Sequence, residues 1–152
     1  RSTDRIDGAI VSAVGEQDDP CFPTPKVVTT VEEIKATTGS WYTYCPNDLG
    51  LEEVRTRDLK KVAFVGVPCQ ITPLRKMEFM DPGFLLGPKK KAKIVAHQRG
   101  FLRDFSDRVA FNIGLFCTEV FRPELMTERI EKQMGIPLGE VRQFRASRKA
   151  AD

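Results

Sequence analysis

Apolar and polar positions alternate along the chain in short blocks whose edges predict secondary structure. Gly8 to Gly15 is an apolar run bracketed by glycines, and it predicts a strand. Glu16 to Pro25 is polar and proline-rich, which predicts a loop, and Lys26 to Thr29 predicts a second short strand. Thr30 followed by Glu33 matches a capping box, in which two side chains satisfy the free amide groups of a helix start. That helix is expected from Val31 to about Thr38, with Gly39 as its stop. Ser40 to Asn47 is aromatic and polar without a helical period, and it closes on the turn signal Pro46-Asn47. Leu51 to Arg57 suits a short helix.

In the second half, Val62 to Val67 is a continuous apolar run, as expected of a strand buried on both faces. It stops at Pro68-Cys69-Gln70, and Ile71 to Met77 predicts a helix with Pro73 in its first turn. Met80 to Pro88 is rich in glycine and proline and reads as irregular, while Lys89 to Asp107 predicts a basic helix with the look of an insertion. Val109 to Phe116 is a second buried-strand pattern, followed directly by Cys117. Pro123 opens another helix, with Met126, Ile130 and Met134 on one face and Gly135 as its stop. Ile136 to Asp152 carries no assignable pattern. Strand, turn and helix repeated in this order imply an α/β fold: one domain over residues 1–152, a mostly parallel sheet with flanking helices, and a basic helical insertion at 89–107. Ligands of such sheets bind beyond the carboxyl ends of the strands, and Cys69 and Cys117 both fall at that edge.

Composition narrows the class. With 152 residues, 41% of them hydrophobic and 30% charged, the chain can bury a core of its own. No apolar run approaches a membrane span and no secretory leader is visible, so a cytoplasmic protein without direct membrane insertion is expected. The net charge of +3 hides an asymmetry: residues 1–54 hold 4 basic and 10 acidic side chains, residues 55–108 hold 13 basic and 5 acidic. A basic middle suits an anionic ligand or an acidic partner surface, and it equally suits a solvated lysine-rich helix face.

Four cysteines in a chain of this size do not make a disulfide scaffold, which leaves packing, metal binding or catalysis. Thiolates are the usual ligands of iron–sulfur clusters, normally four per cluster, yet no Cys-x-x-Cys pair occurs here. A lone cysteine is also a small apolar packing residue, so both readings stand for Cys69 and Cys117. His97, the single histidine, lies in the basic stretch and reads as solvated, which leaves a Cys-His or Ser-His hydrolase little to work with. Phosphate-binding glycine motifs are absent. The run Gly39-Ser40-Trp41-Tyr42-Thr43-Tyr44 offers hydroxyls, amides and flat rings, suited to an aromatic cofactor or to an ordinary aromatic core.

Six stretches in order resemble the coenzyme F420 hydrogenase/dehydrogenase beta-subunit family. They are Arg1-Ser2-Thr3-Asp4, Asp7 to Val11, Pro25 to Val28, Thr38 to Asn47, Val67-Pro68-Cys69-Gln70 with Leu74 to Met77, and Ile113 to Glu119. The resemblance implies an oxidoreductase subunit that passes a hydride between coenzyme F420, as substrate, and a bound FAD, then electrons onward to a four-iron cluster. By position, Cys69 and Cys117 resemble two cluster ligands, with the remaining ligands outside this chain. Thr38, Gly39, Ser40, Tyr42, Thr43, Tyr44, Pro46 and Asn47 resemble part of the flavin and deazaflavin pocket, and Gln70 and Glu119 possible cofactor contacts. Implied partners are the other redox subunits of a hydrogenase, formate dehydrogenase or F420H2 dehydrogenase, and not nucleic acid. Arg5 joins Ile6 directly, where the family has a glycine-pair turn and a helix, so the chain is expected to carry only part of the family's domain. A different class of reading, a basic binding module without catalysis, rests on the charged middle alone.

Overall fold

The computed structural model describes residues 6–14, 22–79, 92–117 and 120–141. Among the described residues four strands form one sheet in the order β2-β1-β3-β4: β1 Gly8–Ala13, β2 Thr24–Val28, β3 Val62–Gly66 and β4 Val109–Gly114. β1 pairs antiparallel with β2 and parallel with β3, and β3 pairs parallel with β4. The expected α/β class with a mostly parallel sheet is therefore what the chain adopts. β2 begins at Thr24, ahead of the expected Lys26, because Pro25 is tolerated opposite Ser12 on an edge strand.

One face of the sheet carries the core. Ile10, Val27, Val62 and Phe64 pack there against Leu51 and Val54 of α2 (Gly50–Thr56), Leu74 of α3 (Pro68–Phe79) and Phe105 of α4 (Ala92–Ser106). The basic helix is thus anchored through Phe105, while its His97 is exposed as expected. The opposite face is built from small residues, Ala9, Val28 and Ala63, with Val11 beside them. Among the described residues no helix is long and apolar enough to cross a membrane.

Four expectations need correction. β4 is not buried: it is the edge strand, and Phe111, Ile113 and Leu115 are exposed, Phe111 by 54%. An apolar run reports affinity for an interior but not the order of strands in a sheet. α3 starts at Pro68 instead of Ile71, since a proline at the first helical position surrenders no hydrogen bond. Pro73 consequently sits inside that helix and cannot donate to the Cys69 carbonyl. α1 (Val31–Ala36) opens with the expected capping box but ends before Gly39; the Thr37 hydroxyl donates to the Ile34 carbonyl at 2.9 Å, and the Thr38 hydroxyl bonds the Lys35 carbonyl. The helix after Pro123, Leu125–Gln133, is wound with π geometry, burying Met126 and Ile130 but leaving its cap residue Met134 exposed. Gly135 does end it, at φ 68°, where a side chain would be strained.

Asp7 staples β1 to the start of β3. Its carboxylate accepts from the Lys61 and Lys60 amides at 2.9 and 2.8 Å, and these bonds hold its pKa below the ordinary 3.8. A lowered carboxylate pKa adds stability above the unfolded-state value and loses it as pH falls through the folded value. Asp7→Asn should therefore flatten the low-pH arm of the stability profile, checked by urea midpoints between neutral and strongly acidic pH. An unchanged slope below pH 3.8 would count against the staple.

Candidate cofactor cleft

Beyond the carboxyl ends of the parallel strands the chain opens a cleft of about 530 Å³. Its floor is made by Val11 and Ser12 of β1, Val65 and Gly66 of β3 with Val67 after them, and Leu115 to Cys117 after β4. The facing wall runs from Ile34 of α1 through Thr37 to Cys45, and Gln70 and Val120 complete the lining. This edge has the location that parallel pairing dictates, because β1, β3 and β4 all end there.

The wall has no regular secondary structure, so side chains hold it. Asn47 is wholly buried, 0% exposed. Its carboxamide oxygen accepts from the Ser12 hydroxyl at 2.9 Å and the Cys45 thiol at 3.0 Å, and its amide donates to the Val65 carbonyl at 2.9 Å. One side chain thereby joins β1, β3 and the wall. Gln70 does similar work from α3: its side-chain oxygen accepts from the Val67 amide at 2.8 Å, as a residue three places into a helix can, and its amide donates to the Cys45 carbonyl. Trp41 donates its indole N–H to the Ser12 carbonyl at 3.0 Å. The same ring lies against Gly39, where an added Cβ would sit 3.0 Å from Trp41, so a side chain there would press on the ring. At the far end, Thr43 forms a parallel bridge with Phe121.

The structure brings together Thr38, Gly39, Ser40, Tyr42, Thr43, Tyr44, Gln70 and Cys117 in the lining. Pro46 and Asn47 do not line it; Asn47 acts from beneath. Cys69 is exposed in the first turn of α3, outside the lining. Glu119 lies outside the described residues. Sequence reasoning did not single out Ser12 or Trp41. An indole N–H in a half-buried aromatic run, needing a partner, was the available signal for Trp41.

Chemically the described lining combines rings, hydroxyls, backbone amides and thiols, without a charged side chain among the described residues. The basic residues described between 55 and 108 do not reach it. The lining fits a planar, hydrogen-bonding ring system. A metal cluster is not completed: among the described residues no group of three or more potential ligands occurs, and Cys69 and Cys117 supply two thiols at most. Burial raises the Cys45 pKa above its ordinary value, against the lowering effect of Ser12.

Two measurements check this construction. Asn47→Ala leaves the Val65 carbonyl and two donors without their partner and should cost about 2 kcal/mol in urea unfolding, the usual cost of unsatisfied buried groups. Loss of under about 0.5 kcal/mol would show that the joint is dispensable. Cys45, 4% exposed with a raised pKa, should react with a disulfide reagent at least about tenfold more slowly than Cys69 in the native chain.

Comparison with known proteins agrees with this fold. The model of the coenzyme F420 hydrogenase/dehydrogenase beta-subunit N-terminus matches residues 2–52, and that of its C-terminus matches residues 59–151. The chain is 34% identical over 137 residues to the coenzyme F420 hydrogenase subunit beta of Methanococcus voltae, covering 90% of this chain and 41% of that protein. It is 36% identical over 141 residues to the coenzyme F420-dependent sulfite reductase of Methanocaldococcus jannaschii, covering 92% of this chain and 20% of that one. A chain of the F420-reducing [NiFe] hydrogenase complex from Methanosarcina barkeri superposes with a TM-score of 0.71 at 30% identity, over 93% of this chain and 42% of that one. The chain thus spans about two fifths of the hydrogenase beta subunits it matches. With the C-terminal model alone covering more than half of its residues, the chain belongs to the coenzyme F420 hydrogenase/dehydrogenase beta-subunit family.

Proposed function

We propose that this chain is the cofactor-binding part of an F420-dependent oxidoreductase subunit. The observation that carries the reading is the cleft itself: in a member of this family, the Thr38–Cys45 wall, Gln70 and Cys117 meet at the carboxyl ends of a parallel sheet. When bound, FAD and coenzyme F420 supply the hydride chemistry. The protein's share is to hold the rings, exclude water and orient them. Trp41, Tyr42 and Phe116 offer flat apolar surface, the exposed Ser40 and Tyr44 offer hydroxyls, and Gln70 and Asn47 keep the wall in place. Cys69 and Cys117 stand as two thiolates toward an iron–sulfur cluster whose other ligands lie outside this chain. Other redox subunits are the proposed partners, with the chain in the cytoplasm. The relationship to both a hydrogenase subunit and a sulfite reductase leaves the second half-reaction to whatever the chain is joined with.

Anaerobic purification followed by reconstitution with FAD, iron and sulfide tests the proposal. Bound flavin should appear in the absorption spectrum, and reduced F420 (F420H2) should bleach it by passing its hydride to the flavin. A colourless protein that takes up neither flavin nor iron would sink the reading, and salt-sensitive binding of an acidic partner that survives Cys69→Ser with Cys117→Ser would replace it.

A further inference from the structure

The two edges of the sheet are built differently. β2 carries Pro25, which has no amide to offer, and the charged Lys26, both usual guards against a further strand. β4 has neither, and among the described residues no strand lies beyond it. Phe111, Ile113 and Leu115 are 54%, 40% and 49% exposed, and Phe116 is wholly exposed. The irregular pairing of β3 with β4 lies between Val62 and Ala63; from Phe111 to Gly114 each residue faces one of Ala63 to Gly66 in turn. The Leu115 amide donates to the Gly66 carbonyl at 2.9 Å. Alternation along the strand therefore turns the backbone groups of Phe111 and Ile113 toward β3 and those of Asn112 and Gly114 outward.

The segment Ala110-Phe111-Asn112-Ile113-Gly114 reads alike from either end: small, large apolar, asparagine, large apolar, small. Such a strand matches a copy of itself running the opposite way. With Asn112 on a two-fold axis, the outward groups of Asn112 in each copy can exchange two backbone hydrogen bonds. Phe111 then stands opposite Ile113 of the other copy at the closer, unbonded spacing, and symmetry makes that aromatic to β-branched pair twice. No unpaired charge enters the seam. Arg108, just before the strand, is held by its own chain, donating to the Leu59 carbonyl at 3.0 Å and the Asp104 carboxylate at 3.1 Å.

We infer that the β4 edge is a pairing surface for a second copy of this chain, joined antiparallel about Asn112. Two sheets of four strands then become one continuous sheet. The copies run in opposite directions, so their clefts open at opposite ends of it. Leu115, which lines the cleft, stands where the seam ends. The inference is independent of which ring the cleft holds.

Sedimentation velocity of the full chain in reducing buffer, over about a hundredfold range of concentration, tests it. A monomer–dimer equilibrium without larger species is expected, because a two-fold seam closes on itself. Asn112→Pro removes an outward amide and no bond to β3, while Ile113→Lys sets a charge in the seam. Each should weaken dimerisation by about tenfold or more and leave the circular dichroism spectrum unchanged. The register has its own readout: hydrogen-bonded partners lie about 5.5 Å apart at Cα, within reach of a disulfide. Mild oxidation of Asn112→Cys should thus give a covalent dimer linked between the two substituted positions, identified by peptide mass spectrometry. A chain that stays monomeric overturns the inference, as does a dimer that survives both substitutions or is linked only through Cys69 or Cys117. Open-ended assemblies, or a monomer that pairs only with a different polypeptide, overturn it as well. Should Asn112→Pro not fold, Ile113→Lys and the cross-link decide.

Discussion

The cleft depends on one buried carboxamide. Asn47 receives a hydroxyl from β1 and a thiol from the wall, and gives its own N–H to β3. A buried amide is costly unless its bonds are made, so Asn47 tolerates one arrangement of these three segments and penalises others. This explains how a stretch without helix or strand can still present a defined surface. The order of the wall is borrowed from the sheet through side-chain hydrogen bonds, with Gln70 and Trp41 acting in the same manner at either side.

The sheet in turn owes its shape to asymmetry between its faces. Large apolar residues, Ile10, Phe64 and Val62, take three helices on one side. Small ones, Ala9 and Ala63, keep the other side shallow. Where that shallow face runs out, at Val11, Val65 and Leu115, the cleft begins. Its apolar base is therefore a continuation of the sheet's second face, and its polar rim is the irregular wall.

Local chemistry was the legible part of this fold. Thr30 and Glu33 specify their helix start by contacts three residues apart, and the chain adopts that start. Strand identity for β1, β3 and β4 followed from mostly apolar runs, and so did the position of the cysteines just past strand ends. Long-range facts were hidden. That β4 would be an edge depends on which strands lie beside it, which no window of sequence encodes. Asn47 looked like a turn residue after Pro46, and its role appears only once β1 and β3 stand side by side. The same holds for Phe121, whose partner Tyr42 is remote in sequence.

The parallel pairing of Ile10 with Phe64 has a kinetic consequence. Those residues are far apart along the chain, and closing the intervening loop must come before the pairing rewards it. The wall between them can take its final form only after that closure, since Ser12 and Val65 are the groups that Asn47 bridges. Damage to a segment that forms late in this way speeds unfolding and leaves the rate of folding nearly untouched. The wall of the candidate cleft therefore waits on the sheet for its own shape.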